Sequence, residues 1–529
     1  MNVKEYIDQG KASLGIEFGS TRIKAVLIGE DNQPAAIGAY DWENSLKDGI
    51  WTYPMKEAVK GLRGCYSSLL KNVREKYGTG LKKLACIGIS GMMHGYLPLD
   101  KNDEPLVPFR TWRNTITEQA ADKLTELLGF NIPQRWSIAH LYQAVLNGEK
   151  HVNDIAHLTT LAGYIHLRLT GEKVVGIGEA SGIFPIDPAS KDYDAGMTAK
   201  TDALLNEKGL KKDLRDILPK ILLAGEKAGC LTDEGAALLD ETGELQSGIM
   251  FCPPEGDAQT GMVATNSRTV RTGNVSAGTS VFAMVVLEKN LSKVHKELDI
   301  VTTPTGNPTV MVHCNNCTSD INAWIGLFRE FADTCGFKID QGKLFETMYS
   351  AALKGEDDCG GLMAFNYYSG EPITGFDDGR PMFIRKPDAK MNLGNFMRAH
   401  LYSSLATLKI GMDILTVDEK VRVDMLQGHG GFFKTEGVGD SILAAALRTP
   451  VKTMETAGEG GAWGMAVLAS YCALGKEGET LESFLDDRVF AGYSGKVCPV
   501  DEKTAEGFDR FIESYVKCFG AERAAIENL

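Results

Sequence analysis

The sequence has no long apolar run, no basic excess and no apolar leader. It contains no uninterrupted apolar stretch near the roughly 18 residues that a membrane-spanning helix needs. Residues 1–11 are polar and of mixed charge, unlike a signal peptide, so we expect a cytoplasmic chain without a membrane partner. The formal net charge of −14 argues against the basic face that nucleic-acid binding requires, so no nucleic-acid partner is expected.

The eleven cysteines show neither the density nor the regular spacing of a disulfide scaffold. Cys314 and Cys317 form a C-x-x-C, but no second pair stands at metal-binding spacing. A zinc site or a redox pair is therefore a weaker interpretation than reduced thiols in a cytoplasmic protein. The composition, 43% hydrophobic and 24% charged over 529 residues, is that of a globular enzyme with two domains.

Two similar segments lie about 260 residues apart. Residues 13–27 contain an apolar run, the acid Glu17, a Gly-Ser-Thr turn and a second apolar run, which predicts a β-hairpin. Residues 273–285 repeat the design around the turn at 277–280. Turns of this kind offer backbone N–H groups and hydroxyls to phosphate oxygens, although each one alone is also an ordinary turn. Their duplication indicates two similar domains that bind one nucleotide.

An isolated acid, Asp257, follows Pro253-Pro254 in a glycine-flanked setting. A carboxylate held where a substrate hydroxyl arrives can accept its proton during phosphoryl transfer. The alternative is that Asp257 caps the N-terminus of a helix. Both roles are compatible with the sequence.

The order and spacing of these motifs resemble the FGGY family of carbohydrate kinases over nearly the whole chain. The first hairpin is similar to the first phosphate loop of the family, Gly256-Asp257 to its catalytic aspartate motif, and residues 276–280 to its second phosphate loop. Residues 87–95 (IGISGMMHG) are close to the Gly-Gln-Met-His-Gly motif of xylulokinases. The resemblance implies an α/β fold of two actin-like ATPase (ribonuclease H-like) domains, residues 12–264 and 265–515, with an interdomain cleft.

The resemblance also implies where the substrates bind. Met93, His94, Trp112, Asn114 and Asp257 are expected to contact the sugar, although His94 alone would equally suit a core. Asn114 stands where the family often has aspartate, and an amide donates as well as accepts hydrogen bonds. The nucleotide is expected to contact Gly19, Ser20, Thr21, Lys24, Gly278, Thr279, Gly430, Gly431 and Thr435.

Two further glycine clusters support the expectation that the chain binds a nucleotide. Residues 427–431 resemble the adenine loop of the family, where a backbone without side chains lets a nucleotide lie close. Residues 458–464 match the helix start that packs beneath that loop, and there packing and ligand contact are equally good interpretations.

Glu17 departs from the aspartate that most relatives carry, and its extra methylene moves the carboxylate by about 1.5 Å. Our hypothesis is that Glu17 and Asp257 serve a magnesium ion bound with ATP. Alternatively, Glu17 lies along the sugar, or catalysis is poor.

The expected function is ATP-dependent phosphorylation of a ketose such as xylulose, a related pentulose or hexulose, or a polyol. An ATP-binding sugar sensor with weak or no catalysis is the alternative, suggested by Glu17 and by a family signature eroded at residues 139–143. A DNA-binding repressor would need a basic helix-turn-helix segment, which the sequence lacks. The oligomeric state stays open, a homodimer included.

Overall fold

The computed structural model describes residues 2–453, 460–492 and 495–529, which form two compact units. Unit 1 comprises residues up to 268, residues 299–309 and the described part of 456–492; unit 2 comprises 269–298, the described part of 310–455 and the described residues that follow 492. The predicted boundary between residues 264 and 265 lies close to residue 268, but residues 299–309 and the described part of 456–492 belong to unit 1.

The elements up to residue 268 are a mixture of strands and helices. They are β1 (Ser13–Phe18), β2 (Arg22–Ile28), β3 (Pro34–Asp41), β4 (Ser45–Lys47), β5 (Ile50–Thr52), β6 (Cys86–Gly91), β7 (Leu97–Leu99), β8 (His157–Thr159), β9 (Val174–Gly176), β10 (Ile186–Asp187), β11 (Asp192–Tyr193), β12 (Lys220–Leu222), β13 (Met250–Phe251) and β14 (Glu255–Gly256), with α1 (Val3–Asp8), α2 (Met55–Tyr77), α3 (Glu118–Leu128), α4 (Ser137–Leu146), α5 (Leu161–Thr170), α6 (Ile177–Ala180), α7 (Ala195–Glu207), α8 (Leu214–Ile217), α9 (Asp233–Leu239) and α10 (Asp257–Ala264).

The elements after residue 268 are also a mixture of strands and helices. They are β15 (Thr272–Ala277), β16 (Val281–Val286), β17 (Leu298–Thr302), β18 (Pro308–Cys314), β19 (Leu362–Phe365), β20 (Met382–Arg385), β21 (Met425–His429), β22 (Val451–Thr453) and β23 (Lys496–Cys498), with α11 (Ser319–Thr334), α12 (Gln341–Ala352), α13 (Leu393–Asp413), α14 (Gly439–Leu447), α15 (Gly460–Leu474), α16 (Leu481–Phe484), α17 (Glu502–Lys517) and α18 (Phe519–Asn528). Within the described ranges, no helix is both long and apolar enough to cross a bilayer.

The main sheet of unit 1 has the order β13-β6-β1-β2-β3, with β14 also paired to β6. Strand β1 is antiparallel to β2 and parallel to β6, and β14 is parallel to β6. The predicted hairpin at residues 13–27 is confirmed. The helical periodicity of the apolar residues in 54–77 also predicts a helix, and α2 is found there. Parallel strands of this kind bring their carboxyl ends to one edge of the sheet, where ligand sites form.

Glycines allow close packing of helices on both faces of this sheet. A Cβ on Gly38 of β3 would lie 2.3 Å from the carbonyl oxygen of Cys65 in α2, and one on Gly15 of β1 would lie 2.3 Å from that of Ala462 in α15. A Cβ on Gly464 of α15 would lie 2.0 Å from the carbonyl oxygen of Thr260 in α10. Helix α15 therefore packs against both β1 and α10, which explains why it belongs to unit 1.

Unit 2 repeats the arrangement of hairpin and parallel neighbour. Its strands follow the order β18-β16-β15-β21-β22-β23. Strand β15 is antiparallel to β16 and parallel to β21, as β1 is to β2 and β6. The helical pattern of residues 396–415 predicts a helix, and α13 covers most of this range and is almost entirely buried. Both predicted hairpins are thus present, each with a parallel strand beside it.

Candidate active site

Three parallel strands of unit 1 end together at the residues that the sequence singled out. Glu17 of β1 pairs with Ser90 of β6, and Ser90 pairs with Glu255 of β14. The chain continues from β6 into Met92-Met93-His94 and from β14 into Asp257. The strand register therefore brings Glu17, Met93, His94 and Asp257 to the same edge of one sheet.

Asp257 is the first residue of α10 and is half-buried. Gly256, not Asp257, is the N-cap, and no side chain caps this helix, so the capping alternative for Asp257 is wrong. The Asp257 carboxylate accepts a hydrogen bond of 3.4 Å from the N–H of Met93. Burial raises the pKa of Asp257 to about 6, although the N–H groups of Met93 and Ala258 act in the opposite direction. A carboxylate with this pKa is a base matched to neutral pH.

Glu17 lies beside Asp257 and against the start of α15. Burial and then the charge of Asp257 raise the pKa of Glu17 to about 7, while the charge of Lys24 and the N–H of Ala462 lower it. A Cβ on Gly461 would lie only 2.3 Å from Oε1 of Glu17. The longer acid thus occupies space that is open only because residue 461 is glycine.

Met93 and His94 form a strained turn next to Asp257. His94 has a φ of +68°, which is uncommon for a residue with a side chain and is concentrated at functional sites. The ring of His94 stacks on Trp136 with 6.2 Å between centroids, and its Nδ1 lies 3.4 Å from the carbonyl oxygen of Gly182. Burial, followed by the charge of Arg135, holds the pKa of His94 well below its usual range, so the imidazole is neutral.

Glu255 and Glu179 are two further buried acids near Asp257. The carboxylate of Glu255 accepts hydrogen bonds from the N–H groups of Gly178 (3.4 Å) and Glu179 (2.9 Å) at the start of α6. Burial raises the pKa of Glu255 to about 8 and that of Glu179 well above its usual range. Burial therefore disfavours the charged form of both side chains, more than it would for an exposed glutamate.

The first turn is held through its carbonyl groups. The carbonyl oxygens of Gly19 and Thr21 accept hydrogen bonds from the indole N–H (2.7 Å) and the backbone N–H (3.1 Å) of Trp42, and that of Ser20 accepts one of 2.6 Å from the hydroxyl of Tyr53. The rings of Trp42 and Tyr53 stack at 4.2 Å. In the described part of the chain, no residue accepts a hydrogen bond from the N–H of Ser20 or Thr21. These donors remain available to an anion.

The second turn is held in the same way by different residues. The carbonyl oxygen of Gly278 accepts hydrogen bonds from the N–H (3.0 Å) and the hydroxyl (2.7 Å) of Thr318, and that of Thr279 accepts one of 2.9 Å from the N–H of Cys317. Thr279 is exposed. Gly430 has a φ of +104°, and a Cβ there would lie 2.4 Å from the carbonyl oxygen of Ala277. The backbone of Gly430 therefore packs closely against the second turn.

Comparison with known proteins decides the family. The model for the N-terminal domain of the FGGY family of carbohydrate kinases matches residues 12–263, and the model for its C-terminal domain matches residues 273–473. The chain belongs to the FGGY family of carbohydrate kinases. It is therefore a sugar kinase with ATP as the phosphoryl donor.

Relatives and solved structures agree with this assignment. The chain is 22% identical over 417 residues to the xylulose kinase of Haemophilus influenzae, which covers 76% of this chain and 79% of the relative. The crystal structure of xylulose kinase from Rhodospirillum rubrum has a TM-score of 0.76 at 18% identity, covering 97% of this chain and 99% of that one. That of gluconate kinase from Lactobacillus acidophilus has a TM-score of 0.77 at 18% identity, covering 97% and 98%. The predicted actin-like fold class is confirmed.

Of the residues predicted to contact sugar, Asn114 has other hydrogen-bond partners in this carbohydrate kinase. Asn114 is buried, and its amide donates to the carbonyl oxygens of Trp51 and Thr111 (2.9 Å each) and accepts from the N–H of Trp51 (2.8 Å). Trp112 is exposed. The amide of Asn114 therefore fixes the backbone around residue 51, and sugar contact by either residue stays a prediction.

The remaining residues predicted to contact the nucleotide are Lys24, Gly430, Gly431 and Thr435. Gly430 and Gly431 follow strand β21 and are exposed, and Thr435 is half-buried a short distance beyond. Lys24 faces Glu17 across the first hairpin. Of the second glycine cluster, residues 460–464 begin α15, whereas residues 458–459 lie outside the described residues. Contact of these residues with ATP stays a prediction.

The C-x-x-C has a structural explanation in the kinase. Cys314 and Cys317 are buried free thiols whose pKa is raised by burial, and all eleven cysteines are free. The carbonyl oxygen of Cys317 accepts hydrogen bonds of 3.0 Å from Asn366 and from Ser404, while its N–H holds Thr279. Within the described ranges, no group of three or more His, Cys, Asp or Glu side chains is arranged to hold a metal. The motif thus positions the second turn.

Sequence reasoning missed the residues that support the site from a distance. Trp42 and Tyr53 hold the first turn, Gly461 makes room for Glu17, and Asp299 approaches from a segment that returns to unit 1. Trp42, Tyr53 and Asp299 belong to no recognised motif, whereas Gly461 lies in the second glycine cluster. Only the small residues around position 461 gave a signal, because a glycine cluster often marks a close approach.

Replacing Tyr53 by phenylalanine tests the support of the first turn. The substitution removes the hydroxyl that donates to Ser20 and keeps the stacked ring. We expect the KM for ATP to rise about fivefold, the equivalent of one hydrogen bond of about 1 kcal/mol. Steady-state kinetics with varied ATP measures it. Tyr77→Phe, which loses a similar bond to Ala35 (2.9 Å), is the matched control and should leave the KM unchanged; equal effects would contradict the prediction.

Replacing Gly430 by alanine tests the second turn. The Cβ would meet the carbonyl oxygen of Ala277, and a φ of +104° disfavours any side chain. We expect the KM for ATP to rise roughly tenfold because the turn must move by a fraction of an ångström. Gly437→Ala is the control, since Gly437 also has a positive φ (+74°) but nothing lies within 4 Å of its Cβ position. Similar KM values in both variants would count against a role of Gly430.

Proposed function

We propose that this kinase transfers the terminal phosphoryl group of ATP to a hydroxyl of a small ketose such as xylulose, with related pentuloses, hexuloses and polyols as the nearest alternatives. The observation that carries the proposal is the position of Asp257, half-buried at the edge where β1, β6 and β14 end and bonded to the N–H of Met93. The similarity of residues 87–95 to the xylulokinase motif and the relationship to a xylulose kinase support the sugar.

The mechanism follows from the placement of the charged groups. The sugar hydroxyl loses its proton to the carboxylate of Asp257 as its oxygen bonds to the terminal phosphorus, and the bond from that phosphorus to the ADP oxygen breaks. The N–H groups of Ser20 and Thr21, and the turn at Gly278 and Thr279, would bind the phosphate oxygens. Lys24 adds a positive charge. The neutral imidazole of His94 can exchange a hydrogen bond with a sugar hydroxyl.

The carboxylates near the site suit a magnesium ion that keeps most of its ligands from phosphates and water. Glu17 and Asp257 lie at the same edge of the sheet, and the charge of Asp257 raises the pKa of Glu17. We propose that Glu17 and Asp257 would hold magnesium, chiefly through water. A bound magnesium ion would neutralise charge on the phosphates.

A screen of sugar-dependent ADP release tests the function. The purified protein with magnesium and ATP is assayed against pentuloses, hexuloses and polyols, and the phosphorylated product is identified by mass spectrometry. We expect turnover in the range of about 1–100 per second with one ketose, as is typical for kinases. ADP release that is independent of every sugar would contradict the proposal and would favour an ATP-binding sensor.

The pH dependence of kcat/KM tests the roles of the two acids. Both pKa values are raised, to about 6 for Asp257 and about 7 for Glu17, and the protonated forms can neither accept a proton nor hold a cation. The value of kcat/KM should therefore be highest above these pKa values and should fall as the pH decreases from about 7 through about 6. Below both pKa values, where both acids are protonated, kcat/KM should fall by up to about 100-fold for each pH unit. A profile that is flat between about pH 5 and 8 would contradict the assignment.

A further inference from the structure

The turn at residues 93–95, which contains Met93 and His94, is called the sugar turn below. An ion pair lies beside it and has no role in the chemistry described so far. The guanidinium of Arg135 contacts the carboxylate of Asp299, and the two side chains are 25% and 10% exposed. Withdrawing two charges from water costs free energy that their attraction often only balances. A pair that is mostly withdrawn from water but still accessible is therefore a candidate for binding polar ligand groups.

Arg135 is fixed to the turn that carries His94. Its carbonyl oxygen accepts a hydrogen bond of 3.1 Å from the N–H of Gly95. The next residue, Trp136, stacks on His94, and the hydroxyl of Ser137 donates 2.6 Å to the carbonyl oxygen of Gly95. The segment before α4 and the sugar turn thus form one hydrogen-bonded unit.

Asp299 is fixed to the other side of the same site. Three residues later, Thr302 donates its N–H to the hydroxyl of Ser181 (3.1 Å) and its hydroxyl to the carbonyl oxygen of Ile177 (3.1 Å). The carbonyl oxygen of Thr302 accepts a hydrogen bond of 3.0 Å from Gln259, two residues after Asp257. The Arg135–Asp299 pair therefore joins the sugar turn to the strand beside the catalytic helix.

We propose that Arg135 and Asp299 select a neutral sugar by binding two neighbouring hydroxyls, and that they reject a sugar acid at that position. A guanidinium has five N–H donors and a carboxylate about four acceptor sites, so the pair keeps donors and acceptors to spare for a diol. A ligand carboxylate would instead face the charge of Asp299, and such repulsion gives specificity. The inference rests on the proposed function and deepens it.

The fold leaves this choice open, which is why the residues matter. The TM-scores to the xylulose kinase and the gluconate kinase differ by only 0.01. The fold of the chain therefore does not distinguish a neutral sugar from a sugar acid as the substrate. The charge of Asp299 does separate them, because it lies where an acid would otherwise pair with Arg135. Removing that charge should convert a site for a diol into one that accepts a carboxylate.

Calorimetric binding measurements test the proposal without requiring turnover. The ligands are two matched pairs, D-xylulose with D-xylonate and D-glucitol with D-gluconate, so that each acid has a neutral counterpart. The wild-type protein should bind the neutral member at least about tenfold more tightly. Asp299→Asn should weaken the neutral sugars and strengthen the acids, shifting the ratio by roughly 10- to 100-fold, the range for a hydrogen bond to a charged group.

Controls separate this effect from loss of structure. Asp192→Asn removes one partner of the exposed Arg215–Asp192 pair and should leave both affinities unchanged. Arg135→Lys keeps the charge but loses the planar fork, so it should weaken the neutral sugars about tenfold. Melting temperatures show whether the variants are folded. If neither site variant folds, the proposal is tested by whether the wild-type protein binds neutral ligands more tightly than acidic ones. Tighter binding of the acids by the wild-type protein, or an unchanged ratio in a folded Asp299→Asn, would overturn the proposal.

Phosphorylation is measured separately, so the two hypotheses fail independently. A shifted binding ratio without sugar-dependent ADP release would support the specificity pair and contradict the proposed ketose kinase. Ketose phosphorylation with an unchanged ratio would do the reverse.

Discussion

Asp257→Asn is expected to lower kcat by roughly a thousandfold with little change in folding, within the range of 10²- to 10⁴-fold for loss of a general base. Asparagine fills nearly the same volume but cannot take the hydroxyl proton. The amide can still accept a hydrogen bond from the N–H of Met93, so the turn should stay in place. Because the group acts mainly in the transition state, the KM for sugar should change much less than kcat. Steady-state kinetics and thermal melting measure the two quantities.

The matched control for this variant is Asp233→Asn. Asp233 is also the first residue of a helix, α9, and is exposed, so the substitution alters helix electrostatics without touching the site. It should leave kcat unchanged and cost only a few tenths of a kcal/mol of stability. An Asp257→Asn protein that is folded and retains near-normal kcat would remove Asp257 from the role of base. Loss of the acidic limb of the pH profile in a residually active variant would support it.

The parts of the fold that local pattern controls could be predicted from the sequence. The two hairpins, helix α2 and strand β6 follow from apolar periodicity and turn residues, and the structure contains all of them. Asp257 was singled out because glycines flank it after two prolines. These signals lie within a few residues of one another, which is the range over which sequence reasoning is strong.

The supporting contacts could not be predicted because they join distant segments. Tyr53 bonds to Ser20, Gly461 packs against Glu17, and Asp299 pairs with Arg135 over separations that no periodicity records. Asn114 shows the opposite case. Its position in the motif predicts that it binds the sugar, but in the structure its amide forms hydrogen bonds with the backbone. Residue type identifies the chemistry, but the partner of each polar atom depends on tertiary packing.

Gly461→Ala is expected to lower kcat/KM by about a hundredfold, because its Cβ would lie 2.3 Å from Oε1 of Glu17 and 2.8 Å from the hydroxyl of Thr260. Glu17 must then move by a sizeable fraction of an ångström, and a misplacement of about 1 Å in a reacting site can cost on the order of a hundredfold. The substitution is otherwise mild, since Gly461 lies in α15 and alanine favours helices. Gly520→Ala in α18, where nothing lies within 4 Å of the Cβ position, is the control.

The double variant Glu17→Asp/Gly461→Ala turns this into a test of why the chain carries glutamate. Aspartate is shorter by one methylene and withdraws the carboxylate from the Cβ of residue 461, so it should recover much of the activity that Gly461→Ala loses. Groups in contact typically couple by about 0.5–3 kcal/mol, and the cycle of kcat/KM values should fall in this range. Additive losses would mean that the two residues act independently. In that case the space next to Gly461 would not explain why residue 17 is glutamate.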